Sequence, residues 1–189
     1  MTTAIPETPA RHSFVQRLIG ALRLDAATYE EVEHDPTSLG QAAGVVALAA
    51  LAAAIGTASR GGPGAVGAVI GALVGWLLST GFIWVVGVYW MKHTSDYKEL
   101  LRTLGFASAP QILLVLSGIP GVGGLIGLAA WLWSLAAFVV AVRQALDVET
   151  GRAVLVCVLA VVVNLACVAG LVLLLGGLLG GGGSSGAVG

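Results

Sequence analysis

The side chains that could do chemistry in this chain are few and widely separated. His12, His34 and His93 are far apart in sequence, and none has a partner at metal-ligand spacing. The glycines lie in apolar stretches or in the C-terminal tail, where they form no phosphate-binding loop or cofactor fingerprint. The apolar stretches also contain no paired aspartates and no nucleophile beside a general base. We therefore expect no catalytic, cofactor or metal site.

Two amides, Gln111 and Asn164, are the most informative polar residues within the apolar stretches. Inside a membrane such side chains usually form interhelical hydrogen bonds of about 1 kcal/mol each. They could instead line a path for a neutral solute or lipid. Ion-driven transport is disfavoured, because no Asp, Glu, Lys or His lies in the apolar cores. We predict a helix-packing role for both amides, with a small-solute or lipid transporter or channel as the alternative function.

Five stretches are long and apolar enough to cross a bilayer. The composition agrees, with 57% hydrophobic residues, 10% charged residues and a mean hydropathy of +0.95. A hydrocarbon core of roughly 30 Å needs about 20 helical residues. The sequence therefore predicts an all-α integral membrane bundle of five transmembrane helices. The predicted spans are residues 39–58, 65–90, 104–119, 122–142 and 154–179.

The distribution of charge predicts how this bundle is oriented. With five spans, the N-terminal segment and the second and fourth connections share one side, which collects eight of the nine Lys and Arg residues. Positive residues in short loops stay cytoplasmic, so we expect a cytoplasmic N-terminus and a C-terminus outside. A net charge of −1 argues against a nucleic-acid partner. The predicted division is a cytoplasmic segment (1–37), a five-span membrane domain (38–179) and a flexible Gly/Ser-rich tail (180–189).

The N-terminal segment contains a predicted amphipathic helix. Phe14, Leu18 and Leu22 share an apolar arc, while Gln16 and Arg17 lie opposite. Such a helix could lie on the membrane surface or pack on the cytoplasmic face of the protein itself, and the pattern fits both equally. Two caps are also predicted. Asp25 begins a second short helix, and Ser38 with Gln41 forms a capping box for the first span.

Residues 96–104 are predicted to form an amphipathic helix on the cytoplasmic surface, with Asp96 as its N-cap. Pro110 follows a few residues later. Since proline removes a backbone hydrogen bond, we expect a kink or break where this helix meets the membrane.

Tyr97, Arg102 and Arg143 are the candidate contacts for a lipid or a partner on the cytoplasmic face. The two arginines could bind a lipid phosphate or a partner carboxylate. They could also be boundary residues that extend their charged ends towards the membrane surface, which arginines at this position commonly do. The expected partners are membrane lipid and a protein on the cytoplasmic face.

Gly67, Gly71 and Gly75 repeat every four residues along one face of the second span. Small residues at this spacing let another helix approach closely. The expected contact is a helix of the same chain, with a homodimer as the alternative.

Two short segments resemble a known family. Residues 101–107 (LRTLGFA) followed by Pro110, and residues 141–146 (AVRQAL), are similar to bacterial members of the Yip family of Ypt/Rab-interacting proteins. The resemblance covers roughly residues 39–163. It implies a five-span protein of the bacterial inner membrane, connected with membrane organisation or traffic. The acidic-aromatic-glycine motif of eukaryotic relatives has no counterpart here, so Rab binding is not inferred.

Overall fold

The computed structural model describes residues 12–58, 61, 64–87 and 96–180, apart from the side chains of residues 164, 167–169 and 171–180. Every regular element in this part of the chain is helical, which confirms the predicted all-α class. The elements are α1 (Phe14–Leu22), α2 (Ala26–His34), α3 (Ser38–Thr57), α4 (Ala65–Val85), α5 (Tyr97–Ala107), a 3₁₀ segment (Ala109–Gly118), α6 (Gly123–Ala145) and α7 (Thr150–Gly180).

Four described segments are long and apolar enough to cross a membrane. Each overlaps one of the first four predicted spans. The part of α7 whose side chains are described without interruption, Thr150–Val163, is apolar but shorter. The fifth span therefore stays a prediction. The four segments are Ser38–Thr57, Ala65–Val85, Tyr97–Gly118 and Gly123–Ala145.

Successive segments run in opposite directions. At one end of the bundle the Ser38 hydroxyl, where α3 begins, donates to the carbonyl of Val32 at 2.8 Å. Gly87, just after α4, lies against the Leu146 side chain at the end of α6. At the opposite end Gly56, near the end of α3, lies against the 3₁₀ segment. We call the first end the charged end and define it as residues 30–38, 96–99 and 143–152.

The segment formed by α5 and the 3₁₀ helix lies at the centre of the bundle. In an apolar stretch of 18 residues within this segment, 67% of the residues are buried, whereas the corresponding share in α4 is 11%. It packs against α2, α3, α4 and α6. Every residue from Leu100 to Pro110 is buried. The prediction of a surface helix over residues 96–104 is therefore wrong beyond its first turn, where Lys98 is exposed and the Asp96 cap is confirmed.

The predicted break at Pro110 is confirmed. The α-helix ends at Ala107, and the chain continues as a ten-residue 3₁₀ helix with proline in its first turn. Runs of 3₁₀ helix this long are uncommon. This one packs mainly between α3 and α6.

The glycines that bring helices together differ from those predicted. A Cβ atom at Gly56 would overlap the Leu114 carbonyl oxygen, and one at Gly105 would lie 2.7 Å from the Ala42 Cβ. At Gly67, Gly71 and Gly75 a Cβ would meet no described atom within 4 Å. No described atom therefore comes close to these glycines, and both the contact within the chain and the homodimer stay predictions.

The two N-terminal helices begin at well-defined caps. The Ser13 and Gln16 side chains form a capping box for α1, and the Asp25 carboxylate accepts from the Ala27 amide, as predicted for α2. The predicted box at Ser38 and Gln41 is wrong, because the Ser38 hydroxyl donates to carbonyl oxygens at the end of α2 instead.

Candidate functional site

A buried arginine joins α1, α2 and α3 at the charged end. Arg17 is 1% exposed, although the sequence placed it on the polar face of α1. Its Nε and Nη2 atoms donate to Glu31 at 3.0 and 2.8 Å, and Nη2 also donates to Asp35 at 2.7 Å. Its Nη1 atom donates to the Gln41 side chain at 3.1 Å. One guanidinium thus binds two carboxylates and an amide on the two following helices.

The charges in this cluster stabilise one another. Burial alone would raise the pKa of Asp35, but hydrogen bonds from Thr37 and Arg17, together with the Arg17 charge, bring it down to about 2. The Asp35 carboxylate is therefore ionised at neutral pH. His12 also contacts Glu31, on the exposed side of the cluster. A buried cation with two carboxylate partners is a strong constraint on geometry, because removal of one partner leaves an uncompensated charge.

Apolar contacts fix the same two helices onto the bundle. The ring centroids of Phe14 and Phe106 are 6.4 Å apart. The Trp133 indole Nε1 in α6 donates to the Leu22 carbonyl at the end of α1, at 3.0 Å. Tyr29 is fully buried, and its hydroxyl donates to the Ala21 carbonyl at 3.2 Å. The packed alternative for α1 is thus the one observed, although Val15 and Ile19 remain 59% and 42% exposed.

Arg102 lies inside this interface and is 6% exposed. Its Nε atom donates to the Glu33 carbonyl oxygen at 2.9 Å, and Nη2 donates to the same oxygen. The side chain thereby satisfies a carbonyl near the end of α2, where the helix has no further amides to offer. A lipid or partner contact at Arg102 stays a prediction, and in this conformation it would require the interface to open.

Glu33 is a second ionisable group in the interface. Burial, with smaller contributions from the carboxylates of Glu99 and Asp147, raises the pKa of Glu33 to about 7. The side chain is 8% exposed. Since its usual pKa is near 4.5, the folded protein favours the neutral carboxyl group. Ionisation of Glu33 should therefore loosen the contact between α2 and α5.

We expect Glu33→Gln to stabilise the protein at pH 8 and to have little effect at pH 4. Below a pH of about 4.5 the Glu33 carboxyl is protonated in both the folded and the unfolded protein. Above a pH of about 7 it is ionised in both, and the folded protein then bears the full cost of a buried charge, of order 2–3 kcal/mol. Thermal unfolding of both proteins in detergent across this range measures the difference. Glu30→Gln, at an exposed site on the same helix, is the matched control. An equal effect of Glu33→Gln at both pH values would contradict the assignment.

The other two candidate contacts remain accessible. Tyr97 is half-buried, and its hydroxyl donates to the Leu77 carbonyl at 2.9 Å while its ring meets Trp84 edge-on. Arg143 is exposed in the last turn of α6. In the described part of the chain it forms no ion pair. Arg143 therefore keeps its charge available at the surface of the charged end.

Gln111 lies in the first turns of the 3₁₀ segment and borders two cavities within the bundle. Its predicted interhelical hydrogen bond stays a prediction. Asn164 belongs to α7, but its side chain lies outside the described residues. Its predicted packing role stays a prediction.

Within residues 12–58, 61, 64–87 and 96–180, no three His, Cys, Asp or Glu side chains form a group that could hold a metal ion. Cys157 is a free, buried thiol that lines the first of the two cavities.

The apolar helices and their packing define an all-helical membrane protein. A family model described as the Yip1 domain matches residues 19–184. The match covers most of the chain, and the chain therefore belongs to the Yip1 domain family, as the sequence resemblance predicted. The match begins within α1 and so includes α2. Neither the curated proteins nor the solved structures gave a match.

Proposed function

We propose that this protein is a non-enzymatic component of membrane organisation that binds a partner at its charged end. The observation that carries the proposal is the docking of α1 and α2 by the buried Arg17. A segment that only tethered the chain would not need a buried cation with two carboxylate partners. The docked helices form a defined surface, which is what recognition of a specific partner requires. Membership of the Yip1 domain family supports a role in the membrane.

The proposal includes five crossings of a bacterial inner membrane, with the N-terminus in the cytoplasm and the C-terminus outside. The alternating direction of α3 to α6 supports it, because α7 then starts at the charged end. As a helix of 31 residues, α7 is roughly 46 Å long, which is enough to cross the hydrocarbon core. The concentration of Lys and Arg at the charged end supports a cytoplasmic location for it.

The proposed contact surface has two parts. The charged end exposes the cations of Lys98, Arg143 and Arg152 beside the carboxylates of Glu30, Asp96, Asp147 and Glu149, so a protein surface that carries both signs of charge would bind there. Val15 and Ile19 are exposed on α1, and in the proposed orientation they would reach the membrane surface as an amphipathic helix does. Arg143 is the residue that we expect to contribute most, since no described carboxylate neutralises it.

Photocrosslinking tests this surface. A photoreactive amino acid in place of Glu149, an exposed residue six positions after Arg143 at the charged end, should give a discrete protein adduct in cells. The adduct should be lost when Arg143→Glu is added. The same amino acid in place of Leu128, an exposed apolar position on α6, is the control and should capture only lipid. A Glu149 adduct that persists in Arg143→Glu, or the same adduct from Leu128, would contradict the proposed surface.

Transport of a neutral solute or lipid is the second candidate function. The two cavities that share Gln111 favour it, because they place a polar group inside the bundle without any charge. Solute flux through vesicles containing the purified protein, reduced by Gln111→Leu, would support this function over partner binding.

A further inference from the structure

A cavity of about 310 Å³ lies between α4, the 3₁₀ segment, α6 and α7. Its volume falls within the range of small-molecule sites, roughly 300–1,000 Å³. The lining is largely apolar and contains no charged side chain. The polar side chains that reach it are Ser79, Gln111, Ser134 and Cys157.

Ser134 is the unusual member of this lining. It is 4% exposed, and its hydroxyl has no hydrogen-bond partner among the residues that the structure describes. It is the twelfth of the 23 residues of α6, midway along a helix that is long enough to cross the membrane. An unpaired buried hydroxyl costs about 1–3 kcal/mol, and a serine within a helix can usually avoid that cost by bonding to its own backbone. Ser134 belongs to the lining of the cavity together with Gln111, but its oxygen is covered in this conformation, so a turn about χ1 is needed to bring the hydroxyl into the cavity.

The cavity opens towards the outside of the bundle. Trp131 and Leu165 belong to its lining and are 55% and 64% exposed, on apolar faces of α6 and α7. In a membrane these faces meet lipid chains and not water. A second cavity of about 490 Å³ lies mainly between α3 and α4 and shares Ser79, Gln111 and Phe138 with the first. A chain-like molecule that enters between α6 and α7 would therefore find further apolar space beyond Gln111.

We propose that the cavity binds an uncharged lipid of the diacylglycerol class, whose hydroxyl and ester oxygens pair with the Gln111 amide and with the Ser134 hydroxyl after its rotation towards the cavity. Ser134 can donate and accept, and Gln111 offers two donors and one acceptor, which match the oxygens of such a head group. A phosphate-bearing lipid does not fit, because its charge would be buried at membrane depth with no cation beside it. The inference stands on the cavity alone and does not depend on the partner-binding proposal.

The test uses the full-length protein in phosphatidylcholine nanodiscs with a photoreactive diazirine diacylglycerol. We expect adducts on buried lining residues such as Ile83 and Cys157, which are 2% and 7% exposed, and competition by unlabelled diacylglycerol. Phosphatidic acid with the same acyl chains should compete at least about tenfold less well, since it adds only the charged group. Ser134→Ala and Gln111→Leu should each weaken labelling about 2- to 10-fold, the effect of one lost hydrogen bond.

Two further variants separate binding from folding. Ala160→Trp fills the cavity and should abolish labelling, whereas Thr57→Val, at the far end of α3 and outside both cavities, should leave it unchanged. Ser134→Ala should leave the melting temperature of the lipid-free protein unchanged or raise it, because it removes an unpaired hydroxyl. Equal competition by phosphatidic acid, undiminished labelling of a folded Ala160→Trp protein, or adducts confined to exterior residues such as Leu128 would overturn the proposal.

Discussion

Replacement of Arg17 by methionine is expected to release α1 and α2 from the bundle while α3 to α6 stay folded. Methionine keeps most of the volume of the side chain but removes the ion pairs of Arg17 with Glu31 and with Asp35, which is 6% exposed. Breaking a buried ion pair in this way costs about 3–5 kcal/mol. Local opening should therefore become roughly 100-fold more frequent or greater. Amide hydrogen exchange of α1 and α2 in the detergent-solubilised protein measures this opening directly.

Arg23→Met is the matched control for this variant. Arg23 caps the end of the same helix but is exposed, and surface substitutions usually change stability by less than about 0.5 kcal/mol. Unchanged exchange in Arg17→Met would show that the apolar contacts alone hold the two helices. Accelerated exchange throughout α3 to α6 would show instead that the N-terminal helices are essential to the bundle and are not a separable layer on it.

The second large effect is expected at Gly56. A side chain here would overlap the Leu114 carbonyl oxygen and approach the Ser117 hydroxyl, so α3 and the 3₁₀ segment would have to separate. Overpacking of this kind costs about 1–3 kcal/mol even when side chains can move, and here the obstacle is backbone. We expect Gly56→Val to lower the apparent melting temperature by about 4–10 °C in detergent. The yield of folded protein should fall with it.

Gly44→Ala, in the same helix, is the control for Gly56. A Cβ at Gly44 would meet no described atom within 4 Å, and alanine has the higher helix propensity. We expect this variant to match the wild type or to be slightly more stable. A Gly56→Val protein as stable as the wild type would mean that the close contact of α3 with the 3₁₀ segment does not contribute to the fold.

The sequence predicted the helical class and the positions of the first, second and fourth membrane segments, because length and hydropathy determine both, whereas the third segment begins at Tyr97, seven residues before its predicted start. The Asp25 and Asp96 caps were also predictable, since an acceptor side chain at the first turn of a helix acts locally. The break at Pro110 follows for the same reason. These features depend on neighbours within a few residues.

Features that depend on distant residues were not predictable. Arg17 and Arg102 look like solvent-facing residues by helical periodicity, yet both are buried because Asp35 and the Glu33 carbonyl lie beside them in the fold. Periodicity assigns a charged residue to the polar face of a helix and has no means of detecting a partner elsewhere in the chain. The surface-helix prediction for residues 96–104 was wrong for this reason.

The close helix contacts at glycines were likewise not predictable from the sequence. The regular spacing of Gly67, Gly71 and Gly75 was a visible pattern, but no described helix lies against them. Gly56 and Gly105 stand outside any such repeat, and their importance appears only when the facing backbone is known. The cavity beside Ser134 is a further case, because a serine in an apolar stretch carries no sign of whether its hydroxyl is paired.

The measurement that tests the account most directly is the location of the two chain ends. In a protein freed of cysteine by Cys157→Ala and Cys167→Ala, single cysteines at Thr3→Cys and Ser185→Cys can be labelled with a membrane-impermeant maleimide. Five crossings with a cytoplasmic charged end predict labelling of Ser185→Cys in intact cells, and of Thr3→Cys only after the membrane is permeabilised. Identical labelling of both positions in intact cells would contradict the account.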